Sequence, residues 1–246
     1  MLPLRSAMRS AARQMSTVAV GISGGVDSSV AALLLKEQGH DVIGVHMTNW
    51  DAAEEASDSV KECIEQDHKD ARRICEQLGI GFREVSFVRE YWAEVFEPLL
   101  EGYHSGGTPN PDVMCNRHIK FDHFMRHALS LGADRVATGH YARLEAISSV
   151  GPNSGSGSSS GSARASLDDD SFRETDEETT VRLLKAADTV KDQTYFLAHV
   201  QQAGLRKAIF PLGGMLKSEV RQRAMEANLH TAAKRESMGI CFIGKR

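Results

Sequence analysis

The sequence predicts an α/β fold, in which helices cover both faces of a parallel sheet. Short apolar runs rich in β-branched residues alternate with stretches of helical apolar spacing, which is the pattern of repeated strand–helix units. The first apolar run, residues 17–23, passes into a glycine-rich loop and then directly into a helical pattern. Glycines also follow several of the predicted helices, where helices commonly end.

Each predicted element rests on its own pattern. Largely apolar runs predict buried strands at 17–23 and 41–47, and short strand-like runs predict two further strands at 82–87 and 135–138. Apolar residues three and four apart predict helices at 26–38, 59–78, 90–100, 119–131, 193–200 and 217–228. The Gly/Pro/Asn-rich residues 104–116 predict a loop. Beyond His140, residues 141–146 and 181–187 predict two short strands.

Composition limits the classes of function. Of 246 residues, 29 are Lys or Arg and 33 are Asp or Glu, so the net charge of −4 excludes a generally basic nucleic-acid-binding surface but permits a local basic patch. No apolar run approaches the roughly 20 residues that a membrane span needs, so we expect no membrane partner. Four cysteines in a chain of this length do not predict a secreted disulfide scaffold.

Two segments differ from the rest of the chain. Residues 1–16 carry Arg5, Arg9 and Arg13 and no acidic residue, which predicts a mitochondrial presequence and hence a location in the matrix; the alternative is a basic unstructured start. Residues 147–179 are rich in Ser and Gly and then acidic. Such a segment buries too little apolar area to offset its ordering entropy, so we expect a disordered insertion at a hairpin tip.

The loop Ser23-Gly-Gly-Val-Asp-Ser-Ser29 predicts a phosphate site. Glycines let the backbone approach a phosphate closely, and the following helix offers free N–H groups at its N-terminus. The loop lacks the Gly-Lys-Ser/Thr ending of kinases and GTPases and the G-x-G-x-x-G pattern of dinucleotide-binding folds. The alternative is a tight turn with a serine or aspartate cap.

Two cysteines are candidates for chemistry. Cys115 follows a stretch with two prolines and lies three residues after Asp112, which suits a general acid or base. A helix start there would favour the thiolate, although an ordinary buried cysteine after a turn is equally compatible. Cys241 lies in Ile-Cys-Phe-Ile, which by itself indicates a core strand. Cys63 and Cys75 share the apolar stripe of one predicted helix, which favours a core position.

The glycine-rich loop resembles the PP-loop of the ATP pyrophosphatases, and further motifs resemble those of the tRNA-specific 2-thiouridylases of the mitochondrial type. The matching blocks are GISGGVDSSVAALLL (21–35), HMTNW (46–50), TPNPDVMCNRHIKF (108–121), ATGHYAR (137–143), KDQTYFL (191–197), PLGGMLKSEVR (211–221) and ESMGICFIG (236–244).

The resemblance implies a reaction and its residues. ATP would adenylate the C2 oxygen of a wobble uridine, a cysteine persulfide would deliver sulfur, and AMP and pyrophosphate would be released. Cys241 would bear the persulfide received from a sulfur carrier or desulfurase, Cys115 would be the partner nucleophile, and Asp112 the acid or base. The residues implied to bind ATP are Gly21, Ile22, Ser23, Gly24, Gly25, Val26, Asp27, Ser28, Met47 and Gly139. Those implied to contact tRNA or the target base are Asn110, Pro111, Asp112, His140, Lys191, Asp192 and Gln193.

The implied cofactors are ATP and Mg²⁺, with Asp27 near the metal and no protein-built metal cluster. The implied domains are a PP-loop catalytic domain at 17–210 and, at 211–246, a helical linker with the start of a truncated central domain. Basic residues of the second half are candidates for contacts to tRNA phosphates, with a solvated helix face as the alternative: Lys191, Arg206, Lys207, Lys217, Arg221 and Arg223.

Two rival functions stay open. Another ATP pyrophosphatase, such as an amide-forming synthetase, has no need for a second thiol. An inactive or partial fragment that binds ATP or tRNA is favoured by the early end of the chain, five residues after Cys241.

Overall fold

A five-stranded parallel sheet organises the protein, as seen in a computed structural model that describes residues 15–50, 58–147, 165–166 and 179–235. The strands of the described residues are β1 Thr17–Gly21, β2 Asp41–Thr48, β3 Gly81–Ser86, β4 Arg135–Ala137, β5 Arg143–Ile147, β6 Ala165–Ser166, β7 Thr180–Leu184 and β8 Ala208–Ile209. The helices are α1 Val26–Glu37, α2 Asp58–Leu78, α3 Val88–Tyr91, α4 Glu97–His104, α5 Pro111–Met114, α6 Phe124–Ser130, α7 Gln202–Lys207 and α8 Lys217–Glu226.

Two helical runs contain π-helical turns. Trp92–Phe96 joins α3 to α4, and Cys115–His123 joins α5 to α6 with a kink at Phe121, whose φ of −108° and ψ of 16° are not helical. A single 3₁₀ turn covers Thr194–Leu197, where a longer helix over 193–200 was expected.

The strand order of the large sheet is β3-β2-β1-β4-β8, and every neighbouring pair is parallel. The predicted α/β class is thereby confirmed. The chain moves outward from β1 through β2 to β3 and then returns to the other side of β1 with β4. The carboxyl ends of β1 and β4 therefore flank the point where the strand order reverses, which is where open α/β sheets bind ligands. A second, antiparallel sheet has the order β6-β5-β7.

The core lies on both faces of the large sheet because side chains of one strand alternate between faces. Val18 and Val20 pack with α1, α2 and α8 on one face, whereas Ala19 packs with the two helical runs on the other. This burial fixes the register of β1 and hence the position of the loop that follows it.

The helix that carries Cys115 begins eight residues earlier than expected. The side-chain oxygen of Asn110 accepts hydrogen bonds from the backbone N–H groups of Asp112 (2.9 Å) and Val113 (3.3 Å). Pro111 stands in the first turn, where its missing N–H costs nothing. The cap and the proline together start the helix at Pro111, so Cys115 lies in its second turn rather than in a loop.

Several predictions concern residues that the structure does not describe. Residues 1–14, most of the insertion predicted at 147–179, and Cys241 lie outside the described residues. The domain boundary predicted at 210/211 stays a prediction; α8, which follows it, packs on α1 and shares its core. No helix of the described ranges is long and apolar enough to cross a membrane.

Candidate functional site

A cavity of about 550 Å³ opens at the carboxyl ends of β1, β2 and β4. The glycine-rich loop after β1 forms one wall, and residues 138–141 after β4 form the adjacent wall. Asp112, Cys115 and Lys120, from the helical run 111–130, also line it. The volume is that of a site for a nucleotide-sized ligand.

The glycine-rich loop is held tightly at the start of α1. The hydroxyl groups of Ser28 and Ser29 both donate to the carbonyl of Gly25, at 3.2 and 2.7 Å. Gly24 has a φ of +75°, and a β-carbon there would lie 2.2 Å from the carbonyl oxygen of Asp67. Only glycine fits this position, since the loop presses against α2.

Gly139 lets the second wall approach the first. A β-carbon at Gly139 would lie 2.8 Å from the backbone nitrogen of Ser28 and 2.9 Å from the carbonyl carbon of Asp27. The backbone after β4 therefore lies directly against the start of α1. This arrangement fits a site where the nucleotide phosphates meet helix N–H groups.

A buried ion pair joins the loop to the second half of the chain. The Lys217 ammonium, at the start of α8, donates to both carboxylate oxygens of Asp27, at 2.7 and 2.8 Å. The Tyr141 hydroxyl donates to the same carboxylate at 2.8 Å. Lys217 is 9% exposed, so the pair is largely withdrawn from water.

His140 is buried beside this wall. Its Nδ1 lies 2.7 Å from the Thr138 hydroxyl, and its Nε2 lies 3.5 Å from the Lys120 ammonium. Burial, and then the charge of Lys120, hold the pKa of His140 well below its usual value. The ring is therefore neutral at neutral pH. Because an ammonium group can only donate, Nε2 accepts and the ring proton lies on Nδ1.

Cys115 is 4% exposed and lies at the start of the π-helical turn. Its neighbour Asp112, one helical turn earlier, lines the same cavity. The cap at Asn110 fixes the start of their helix. A thiol and a carboxyl group therefore share a cavity with the glycine-rich loop. The family resemblance implied that these groups act at one site.

Lys234, shortly before Cys241 in the sequence, forms hydrogen bonds to the glycine-rich loop and to α2. Its ammonium donates to the carbonyl of Gly24 at 2.9 Å and to the carboxylate of Asp67 at 2.8 Å, and it also contacts the carboxylate of Asp70. Arg235, the next residue, lines the cavity. Residues 234 and 235, the last that the structure describes, thus lie at this cavity.

Most of the predicted site residues line this cavity. Those that line the cavity are Gly21, Ile22, Ser23, Gly25, Val26, Asp27, Ser28, Met47, Asp112, Cys115, Gly139, His140, Lys191 and Gln193. Gly24, Asn110, Pro111 and Asp192 do not line it but support its walls. Asp192 accepts hydrogen bonds from the backbone of Ala186 and from Thr194.

Sequence reasoning missed several members of the cavity. Lys217 was a candidate for tRNA phosphates, yet it pairs with Asp27, 190 residues away in sequence. Lys120, Tyr141 and Trp50 line the cavity and were not singled out. All four stand inside blocks that carried the family resemblance, which was the available signal for them.

The residues that the structure describes do not form a magnesium site built from protein side chains. Of the described residues, no group of three or more His, Cys, Asp or Glu side chains is placed to hold a metal. Asp27, the predicted magnesium neighbour, directs both carboxylate oxygens to Lys217. By contrast, the glycine cradle fits the phosphates of ATP.

The family described as "tRNA methyl transferase HUP domain" matches residues 16–245. The "tRNA-specific 2-thiouridylase MnmA" of Shouchella clausii is 50% identical over 95% of this chain and 55% of its own length. That of Bacillus velezensis is 49% identical over 93% of this chain and 53% of its own length. The chain thus spans about half the length of the curated relatives it matches.

Among solved structures, an NMN synthetase from Francisella tularensis aligns over 90% of this chain and 66% of that chain, with 16% identity and a TM-score of 0.47. At this level the likeness adds nothing to the sequence matches.

The predicted mitochondrial location is wrong. The relatives at about half identity are bacterial proteins, from cells that have no mitochondria. Three arginines four residues apart form a short pattern that any basic helix can show, and it does not specify import. The ATP pyrophosphatase resemblance, in contrast, is confirmed, and the match over 16–245 shows that the chain belongs to the tRNA methyl transferase HUP domain family.

Proposed function

We propose that this chain carries the catalytic centre of a tRNA uridine 2-sulfurtransferase, which replaces the C2 oxygen of the wobble uridine by sulfur. One observation carries the proposal: a single cavity brings the glycine-rich loop together with Cys115 and Asp112. A phosphate cradle and a thiol are both needed at one carbonyl, because a ring carbonyl oxygen leaves only after it has been activated. The 2-thiouridylases at about 50% identity support the same reaction.

ATP is proposed to activate the uridine. The loop from Gly21 to Ser28 and the backbone at Gly139 would bind its phosphates, and Met47, at the end of β2, lies where the nucleoside would extend. The uridine O2 would attack the α-phosphorus, and pyrophosphate would leave with the bonding electron pair. Mg²⁺ is proposed as the ion that the ATP phosphates carry and would neutralise charge on pyrophosphate.

A persulfide on Cys241 is proposed to deliver the sulfur. Its outer sulfur would attack C2, and AMP would leave with the C2–O electron pair. The Cys115 thiolate would then attack the Cys241 sulfur of the new C2–S–S linkage. Thiouridine would be released as the S–S electron pair moves to its sulfur, and a Cys115–Cys241 disulfide would form. A cellular thiol would then reduce this disulfide, and an upstream sulfur carrier or desulfurase would reload Cys241.

The target base must leave the anticodon stack to reach the cavity. We propose that residues 110–112 contact the base and that His140 and residues 191–193 contact the tRNA. Asp112 lies within this segment, so it is also the proposed acid or base for the uridine.

The test is to incubate the full 246-residue chain with ATP, an unmodified tRNA transcript and a persulfide donor, and to measure 2-thiouridine and AMP. Cys115→Ala and Cys241→Ala should each abolish thiouridine. The matched control is Cys75→Ala, since Cys75 is buried in the core away from the cavity and should leave turnover intact. Thiouridine formation that survives both cavity substitutions would refute the proposed sulfur route.

A second candidate is a nucleotide-binding fragment without turnover. It needs only the phosphate cradle that the glycine-rich loop and the backbone at Gly139 form. ATP binding without AMP or thiouridine formation, at any tRNA concentration, would select this candidate instead.

A further inference from the structure

Lys120 lines the cavity, and the reaction proposed above gives it no role. It lies five residues after Cys115 on the π-helical segment Cys115–His123, and both residues line the cavity. In an α-helix, residues five apart point roughly 140° away from each other, since each residue turns the helix by about 100°. The wider π-helical turn, with its i→i+5 hydrogen bonds, reduces this offset. The irregular turn thus brings a cation and the candidate nucleophile to one cavity.

The surroundings of Lys120 leave its charge available to a ligand. Its hydrogen-bond partner, His140, is neutral, so it holds the ammonium group in place without cancelling its charge. Of the three carboxylates that line the cavity in the described residues, Asp27 is paired with Lys217 and Asp67 with Lys234. The third carboxylate, Asp112, lies on the same helical run as Cys115 and Lys120, and in the described part of the chain it forms no ion pair with Lys120. The Lys120 ammonium is therefore not held by a carboxylate.

Lys120 also contacts the wall that lies against the phosphate cradle. It contacts His140, which follows Gly139, and the backbone of Gly139 lies directly against Asp27 and Ser28. A ligand whose phosphate meets the glycine-rich loop and whose other end reaches Cys115 shares one cavity with this ammonium group. In the proposed reaction, the group that bridges these two walls is the α-phosphate of adenylated uridine.

Resting on the proposed function, we infer that Lys120 is a catalytic residue whose ammonium group binds the α-phosphate of the adenylated uridine. When the incoming sulfur forms its bond to C2, the C2–O bond breaks and its electron pair passes to the oxygen that departs with AMP. The charge on the phosphate group grows during this step, and Lys120 neutralises it. Lys120 keeps its proton throughout. His140 positions Lys120 by accepting from it, and the Thr138 hydroxyl fixes the ring of His140.

The test compares Lys120→Met with Lys120→Arg in the full chain. Calorimetric titration with AMP should show about tenfold weaker binding for Lys120→Met, and single-turnover thiouridine formation should fall about a hundredfold or more, as is common when one charge-stabilising donor is removed. Lys120→Arg keeps the charge and should restore both within about tenfold. The matched control is Arg126→Met, a solvent-exposed cation of the same helical run that pairs with Asp122.

The results of this experiment can overturn the inference about Lys120 and the proposed function independently. If the unaltered chain forms no thiouridine, the proposed function fails, and AMP binding alone then decides whether Lys120 contacts a phosphate. If the unaltered chain turns over and Lys120→Met behaves like Arg126→Met in both measurements, the inference is overturned. Thermal denaturation of each variant establishes that a loss reflects charge rather than unfolding.

Discussion

The ion pair between Asp27 and Lys217 predicts a large loss of stability when the lysine is neutralised. Lys217→Met keeps the length and apolar stem of the side chain but removes both hydrogen bonds to the carboxylate. The Asp27 carboxylate would then be left half-buried, with the Tyr141 hydroxyl as its remaining partner among these contacts.

The magnitude follows from the burial of the two partners. Breaking a buried pair by removing one partner costs roughly 3–5 kcal/mol. The Asp27 side chain is 32% exposed, so water recovers part of this cost, and we expect about 2–3 kcal/mol. For a domain of this size, that loss lowers the melting temperature by about 5–10 °C.

A double-mutant cycle isolates the pair from other effects. Urea denaturation of the unaltered chain, Lys217→Met, Asp27→Asn and the double variant should give a coupling energy of about 2 kcal/mol, as expected for a charged pair that is largely withdrawn from water. The same cycle on the exposed pair Arg126–Asp122 is the control and should give below about 0.5 kcal/mol. A coupling for Asp27–Lys217 no larger than that of the exposed pair would refute the reasoning.

Three further predictions concern single positions. Gly139→Ala should weaken ATP binding at least tenfold in a calorimetric titration, because its β-carbon would meet the backbone of the glycine-rich loop; Gly81→Ala, where a β-carbon meets nothing, should leave ATP binding unchanged. Burial raises the pKa of the Cys75 thiol to about 11, so mass spectrometry after iodoacetamide treatment of the native chain at pH 8 should find Cys75 unmodified. Burial raises the pKa of Asp70, but hydrogen bonds from Lys234 and Gln66 outweigh it and the pKa is lowered. Asp70 therefore stabilises the fold above its unfolded-state pKa, and this contribution is lost as the pH falls through the folded value. Urea denaturation of Asp70→Asn should show a smaller loss of stability between pH 6 and pH 3 than the unaltered chain, and an equal loss would contradict this assignment.

The sequence predicted the central strands of the large sheet well because β1 and most of β2 are buried, whereas the edge strand β3 is largely exposed. The runs at 17–23 and 41–47 are nearly unbroken apolar stretches, and the observed β1 and β2 lie within one or two residues of them. By contrast, β8 has only two residues, Ala208–Ile209, and its place beside β4 is set by tertiary contacts. A pattern of two residues has no periodicity, so no sequence argument could have found it.

The sequence predicted only some of the residues that line the cavity, because only some of them are marked by a local residue pattern. The glycine-rich loop and the Cys115 segment can each be recognised from their local residue types. Lys217 and Lys120 do not, since one is an ordinary lysine at the start of a helix and the other depends on a π-helical turn that no residue pattern marks. Their roles come from partners far away in sequence, Asp27 and His140.

The nucleotide cavity depends on chain that follows residue 210. Lys217 supplies the ammonium group on Asp27, Arg235 lines the cavity, and Lys234 holds the carbonyl of Gly24. Leu212 and Val220, fully buried, belong to the same core as α1, so this segment also supports the helix whose N-terminus faces the cavity. It follows that residues 211–235 support the loop at the phosphate end of the proposed site.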